Sequence, residues 1–135
     1  MEKLIDLIDQ LKSRCIANEL MIMEQAMLTP AEYNGISALE PDELVCGSTL
    51  SQKMNLSPSR ASRVIDKLVK NGYLVRENDA QDRRKCTICL AEKGIKVKKR
   101  IDKIKKECES RVREKLGPTE LEQFTLSLKK VNEAI

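Results

Sequence analysis

The sequence lacks several residues on which enzymes depend. All 135 residues contain no histidine and no tryptophan, and aromatic side chains make up only 2%. Without histidine the commonest general base is missing. No glycine-rich loop suited to cradling phosphates is present, and no serine lies in a glycine-rich turn of the kind that exposes a nucleophile. We therefore expect a protein that is not an enzyme and that needs no cofactor.

Long apolar runs are also missing, which argues against a transmembrane helix. The amphipathic N-terminal segment carries Glu2, Asp6 and Asp9, unlike a signal peptide. The length suits one domain, and the scarcity of aromatic residues favours helices packed through Leu, Ile, Val and Met. We expect a single cytoplasmic domain, residues 1–135, with no membrane partner.

The five cysteines do not suggest a disulfide framework, since their number is odd. Cys86 and Cys89 have the spacing of a metal-binding pair, but on a strand residues three apart point to opposite faces. No metal site is therefore predicted. Cys15 lies on the apolar stripe of the N-terminal segment, which favours a buried, unreactive thiol. Cys46 lies in a linker and is the better candidate for an exposed thiol.

Residues 50–94 contain the most informative pattern in the chain. The order is a short helix, a turn, a second helix and two strands joined by a charged loop. Ser57 is a suitable N-cap for the second helix, and Pro58 fits its first position. Asn71 and Gly72 end that helix, because glycine readily adopts the left-handed conformation of a C-terminal cap.

The second helix exposes short hydroxyls and guanidinium groups, which contact base edges and phosphates when a helix enters the major groove. The strands are predicted at residues 73–76 and 86–90, and the loop between them ends in a basic cluster. A helix of this kind beside such a hairpin predicts a winged helix-turn-helix. The predicted DNA contacts are Ser57, Ser59, Arg60, Ser62, Arg63, Lys67, Arg83, Arg84 and Lys85.

The charge distribution supports this prediction. The chain has a net charge of +4, and residues 57–89 contain eight basic and four acidic side chains. The whole excess of positive charge therefore lies in the proposed DNA-reading segment, as expected for a protein that binds nucleic acid. The lysine-rich run at residues 93–106 is interpreted as a solvated helix face, since acidic residues follow it closely.

The stretch resembles the MarR family (multiple antibiotic resistance regulators), whose members are dimeric winged-helix transcription factors. The family pattern runs across the wing into the next helix. The matching residues are Asp79, Asp82, Arg84, Ile88, Leu90 and Gly94. Gln81 stands where the pattern has its first arginine, and Ala91 where it has a threonine. The first departure could weaken a salt bridge within the wing, and the second removes a helix cap.

The resemblance implies a mainly α fold with a two-stranded β wing and long N- and C-terminal dimerisation helices. These are residues 1–28 and 92–135, with the DNA-binding part at 30–91. It implies a homodimer on double-stranded DNA with a near-palindromic operator, in which Arg84 reaches the minor groove and Asp82 orients an arginine. It also implies a repressor released by a small hydrophobic or phenolic effector, with Met21 and Tyr33 as candidate pocket residues.

Two alternatives remain open. Some family members sense peroxide through a cysteine in the first helix, so Cys15 is a candidate redox residue. The fold could also serve as a protein-interaction module that does not bind DNA.

Other helix boundaries follow from capping patterns. Thr29, Pro30 and Glu32 form a helix start with a capping box. Residues 42–47 are expected to be a linker in which Leu44 and Val45 turn inward. Thr119, with Glu122 three residues later, is expected to cap the last helix.

Overall fold

The computed structural model describes residues 1–78, 80–81 and 86–135, so the wing residues 79 and 82–85 lie outside the described part. The chain forms two compact units, Met1–Ile101 and Asp102–Ile135, which are considered separately. The elements in order are α1 (Leu4–Ala26), α2 (Pro30–Ser37), β1 (Val45–Cys46), α3 (Gly47–Met54), α4 (Pro58–Lys70), β2 (Leu74–Asn78), β3 (Cys86–Leu90), α5 (Glu92–Lys115) and α6 (Pro118–Ala134).

The predicted capping box at the start of α2 is confirmed. The Glu32 backbone N–H donates to Thr29 Oγ1 at 3.2 Å, and the Thr29 backbone N–H donates to Glu32 Oε1 at 3.3 Å. Two backbone donors that the first helical turn leaves unpaired are thereby satisfied. Glu32 is buried, which fixes the start of α2 against the rest of its unit.

The boundaries of α4 also follow the sequence prediction. Ser57 Oγ accepts the Arg60 backbone N–H at 3.4 Å, and Pro58 occupies the first helical position. After the helix, Gly72 has a φ of +82°, in the left-handed region that glycine adopts without steric cost. The chain therefore turns sharply from α4 into β2.

The small sheet has the strand order β1-β3-β2, with both pairs antiparallel. The two-stranded wing is confirmed, but the linker prediction for residues 42–47 is wrong in part, because Val45 and Cys46 form a third strand. Val45 pairs with Ile88 and is buried, whereas Leu44 is exposed. Two residues are too few for the alternation by which a strand is recognised in a sequence.

The core of the first unit contains one face of α4. Ala61, Ile65 and Leu68 are buried at spacings of four and three. Buried side chains from α2, α3 and the sheet include Ile36, Leu39, Leu50, Ile88 and Leu90. The start of α5 closely approaches the residue before β2, because a Cβ on Gly94 would clash with the Tyr73 carbonyl oxygen.

The terminal helices are far less buried. In α1 only Ile22 and Met23 are buried, and α6, all of which the structure describes, contains no buried residue. Cys15 is exposed, so the expectation of a buried thiol is wrong for this chain by itself. The apolar stripe on which Cys15 lies is real, but the chain leaves most of it uncovered.

The predicted start of α6 is wrong by two residues. Gly117 is the N-cap and Pro118 begins the helix, with no side-chain cap hydrogen bond. Proline is favoured at a first helical position because its φ is already helical and it needs no backbone donor there. Pro118 therefore starts α6, and Thr119 lies inside it. None of the helices in the described residues is long and apolar enough to span a membrane.

Candidate nucleic-acid interface

The exposed face of α4 brings together the predicted DNA contacts that the structure describes. All six of them are exposed, whereas the opposite face of the helix is buried. The six are Ser57, Ser59, Arg60, Ser62, Arg63 and Lys67. The predicted wing residues Asp82, Arg83, Arg84 and Lys85 lie outside the described residues.

Ser57, Ser59 and Lys67 have contacts with other side chains or with the backbone. Ser57 Oγ caps α4 and also lies 3.5 Å from Ser59 Oγ. Lys67 Nζ lies 3.8 Å from Glu32 Oε1, an ion pair with one buried and one exposed partner. A cation near a buried carboxylate is less free to move than the others on this face. Lys67 is therefore positioned from α2, which the sequence did not reveal.

A second ion pair joins α4 to the wing. Arg76 on β2 donates from Nη2 to Asp66 Oδ1 on α4 at 2.6 Å. Asp66 is one of the four acids in the basic segment, so part of the negative charge there serves to hold the strand against the helix. A local reading of the sequence could not identify this pair, because its partners are ten residues apart on different elements.

A cavity of about 420 Å³ lies between α3, α4 and the base of the wing. Its lining combines hydroxyls and a guanidinium with aliphatic side chains, and it includes Ser62 from the exposed face. The lining residues are Gly47, Ser48, Ser51, Pro58, Ser62, Ile65, Arg76, Asn78, Cys86 and Ile88. The predicted pocket residues Met21, which is exposed, and Tyr33, which is buried, are not among them.

Cys46 is the thiol whose chemistry the fold changes most clearly. It is the N-cap residue of α3 and is exposed. Its Sγ lies 3.1 Å from Ser48 Oγ and 3.0 Å from Thr49 Oγ1. These hydrogen bonds, first Ser48 and then Thr49, lower the pKa of Cys46 from 9.0 to about 7. In the sequence, this lowered pKa could have been inferred from the hydroxyl residues Ser48 and Thr49, which follow Cys46 by two and three positions.

Metal binding finds no support in the arrangement of the other thiols. Cys86 pairs with Asn78 and Cys89 with Val75 along the same strand, so the two side chains point to opposite faces. Within residues 1–78, 80–81 and 86–135, no group of three or more Cys, Asp or Glu side chains could hold a metal ion.

The fold and the exposed basic helix together define a winged helix-turn-helix. Residues 38–86 match the model of the MarR family. The "Uncharacterized HTH-type transcriptional regulator YkoM" of Bacillus subtilis (strain 168) is 35% identical over 81 residues, which cover 60% of this chain. That match spans only about half, 53%, of the relative's own length. The predicted MarR resemblance is therefore confirmed.

Solved structures resemble the chain over almost its full length. The S. aureus MepR–DNA complex has a TM-score of 0.76 at 20% identity, with 100% of each chain covered. NadR in complex with 4-hydroxyphenylacetate has a TM-score of 0.70 at 20% identity, with 97% of this chain and 92% of that chain covered. At these identities the likeness establishes the fold, which is the mainly α winged helix-turn-helix predicted from the sequence.

Proposed function

We propose that this protein is a transcriptional regulator, without catalytic activity, that binds double-stranded DNA as a homodimer at a near-palindromic operator. One observation carries the proposal. The N-terminal half of α4 exposes Ser59, Arg60, Ser62 and Arg63 while its opposite face is buried in the core. A rigid helix with that exposed chemistry suits the major groove, where guanidinium groups pair with guanine and hydroxyls contact bases or phosphates.

Within this interface the side chains divide by how freely they can move. Arg60 and Arg63 are exposed on successive positions of one face and are the candidates for base recognition. Lys67 would contact a phosphate, because Glu32 lies beside it and about three turns of α4 separate it from Ser57. Arg84 is proposed to enter the minor groove, with Arg83 and Lys85 near the backbone and Asp82 orienting an arginine.

The uncovered apolar side chains of α1 support the homodimer. They include Leu4, Ile5, Leu7, Leu11 and Ile16. Exposed apolar surface on this scale is typical of an interface between protein chains. A second copy related by a two-fold axis would place its α4 in the next major groove, about 34 Å away. The apolar residues of α6, such as Phe124 and Leu128, are the second candidate surface for the same contact.

A small hydrophobic or phenolic effector is proposed to release a repressor from DNA. The cavity of about 420 Å³ supports this, since an occupant would lie beside Ser62 and next to the Arg76–Asp66 pair. It would thereby disturb both the exposed face of α4 and its attachment to the wing. NadR, a structural relative, was solved with the phenol 4-hydroxyphenylacetate. Met21 and Tyr33 stay predicted pocket residues.

The proposal is tested by Arg63→Ala, with Lys99→Ala as a control that removes the same charge from an exposed position on α5. Fluorescence anisotropy would measure the affinity for operator and for unrelated duplexes at several salt concentrations. Arg63→Ala should weaken operator binding by about 1–3 kcal/mol and reduce discrimination between sequences. Lys99→Ala should change both much less. Equal effects of the two variants would remove α4 from the interface.

A further inference from the structure

Glu32 is the one carboxylate that the fold buries in the part of the chain that the structure describes. Its side chain belongs to the capping box of α2, in which Oε1 accepts the Thr29 backbone N–H at 3.3 Å. Because α2 packs against α4, the same oxygen also lies 3.8 Å from Lys67 Nζ. A single carboxylate oxygen therefore completes the start of one helix and faces a proposed DNA contact on another.

The two partners of this ion pair differ in exposure. The Glu32 side chain is 4% exposed and the Lys67 side chain 61%. A buried carboxylate loses most of its contact with water, so it needs a nearby cation more than an exposed one does. Among the described residues, no basic side chain other than Lys67 lies within ion-pair distance of Glu32. The fold therefore attracts the exposed Lys67 ammonium group toward a fixed, buried negative charge.

Lys67 is also set apart from the other basic side chains of the exposed face. It follows Ser59 and Arg63 at intervals of four residues, so the three lie along one line of α4. Arg60 and Arg63 form no ion pair with a described residue. The proposed base contacts thus keep their full charge, whereas the charge of the proposed phosphate contact is partly balanced from α2.

We propose that Glu32 competes with DNA phosphate for Lys67 and thereby limits the affinity of α4 for DNA of any sequence. This inference rests on the proposed DNA binding. A phosphate that attracts Lys67 Nζ must overcome the attraction of the buried carboxylate, so the phosphate contact stabilises the complex less than that of an unpaired lysine. Because phosphate contacts are independent of sequence, this competition weakens unselective binding while the base contacts of α4 are untouched.

Glu32→Gln tests the competition, because it removes the charge and keeps the shape. The amide oxygen of glutamine can still accept the Thr29 backbone N–H, so the capping box is retained. Fluorescence anisotropy with a labelled random-sequence duplex would measure affinity over a series of salt concentrations. We expect Glu32→Gln to bind about threefold to tenfold more tightly at low salt. The slope of log affinity against log salt should become steeper by about one unit, since Lys67 then neutralises a phosphate fully.

Two further variants separate competition from a general effect of charge. Glu109→Gln removes the same charge and frees Arg113 from an ion pair of 2.9 Å, at two residues that are not proposed DNA contacts. It should change affinity and salt slope much less. Glu32→Gln in a Lys67→Gln background should give no gain over Lys67→Gln alone, because the carboxylate acts through that lysine. Chemical denaturation of each variant would establish that it remains folded.

The possible results distinguish this inference from the proposed function. If the wild type binds duplex DNA and Glu32→Gln leaves the affinity and the salt slope unchanged, Glu32 is a helix cap only, and the proposed DNA binding still stands. An equal gain for Glu109→Gln would show that only the overall charge matters. A gain that persists without Lys67 would show that Glu32 does not act on that side chain. No salt-dependent duplex binding by the wild type would overturn the proposed function and this inference together.

Discussion

The proposed DNA-reading helix α4 and the terminal helices use their apolar residues in opposite ways. In α4 the apolar face is completed within its own unit, since Ala61, Ile65 and Leu68 are buried. In α1 an apolar stripe of similar regularity stays exposed until Ile22. A regular apolar face on a helix thus predicts burial, but it does not predict whether the covering surface belongs to the same chain or to another one.

This difference separates the apolar surface that one chain covers by itself from the surface that the proposed homodimer would cover. The core, the caps and the ion pairs around α4 lie within the unit Met1–Ile101, so this unit can hold the exposed face of α4 rigid by itself. The terminal helices expose many apolar side chains, and large exposed apolar patches are typical of interaction surfaces. In the proposed function, recognition chemistry and association therefore reside in different parts of the sequence and should respond to different mutations.

The largest expected effect is on the core behind α4. Leu68→Ala should lower the free energy of unfolding by about 2–5 kcal/mol, because it leaves a cavity among fully buried side chains. Chemical denaturation at two protein concentrations would measure it. Leu128→Ala is the matched control on α6, where the residue is exposed, and its effect should depend on protein concentration. If the loss of unfolding free energy in Leu68→Ala also depended on protein concentration, the core behind α4 and the surface of α6 would not differ in the way proposed.

A charge on the exposed stripe of α1 should act on association. Leu11→Glu is expected to weaken the dimer about a hundredfold, or about 2.7 kcal/mol, because an unpaired carboxylate would enter the interface. Sedimentation velocity over a dilution series measures the change. Ser13→Glu adds the same charge on the opposite side of the helix and should leave the dimer intact. A dimer undisturbed by Leu11→Glu would mean that α1 is not in the interface.

The ion pair between α4 and the wing should matter less. Arg76 and Asp66 are both partly exposed, so their coupling is expected to be only about 0.2–1 kcal/mol and to fall with added salt. A double-mutant cycle of Asp66→Asn and Arg76→Gln, measured by denaturation, isolates it. Additive single effects would show that the wing is held by the strand pairing alone.

The smallest effect concerns the Cys46 thiol. Its pKa of about 7 lies below the ordinary 9.0, so the thiolate should form as the pH rises through 7 instead of through 9. The rate of alkylation by iodoacetamide, followed at the Cys46 peptide by mass spectrometry, should therefore level off above pH 8. Ser48→Ala should move this midpoint upward, since Ser48 is the largest cause of the shift. If the midpoint of the alkylation rate against pH were unchanged in Ser48→Ala, the Ser48 hydrogen bond would not lower the pKa of Cys46.

Local signals made much of the fold predictable. The Thr29 capping box, the Ser57 cap and the glycine after α4 are each decided by a few neighbouring residues. The same reasoning placed the start of the last helix wrongly at Thr119, because a proline three residues after the end of α5 could either end one helix or begin the next. In this chain it begins α6.

What the sequence could not supply depends on contacts between distant residues. The strand at Val45 exists because β3 pairs with it, and the attachment of Lys67 to Glu32 requires α2 and α4 to lie side by side. Cys15 was expected to be buried because its neighbours on the helix are apolar, but the rest of the chain does not cover it. Conversely, the exposed face of α4 was predictable, since it is the complement of a strongly periodic buried face.

The central claim is that the exposed face of α4 reads DNA sequence in a two-fold symmetric dimer. Selection of bound fragments from random-sequence duplexes, repeated at several salt concentrations, tests it most directly. We expect enrichment of an inverted repeat with half-sites about one helical turn apart, retained at physiological salt. Weak, unselective binding that disappears at that salt concentration would contradict the claim and would favour a winged-helix module that binds protein.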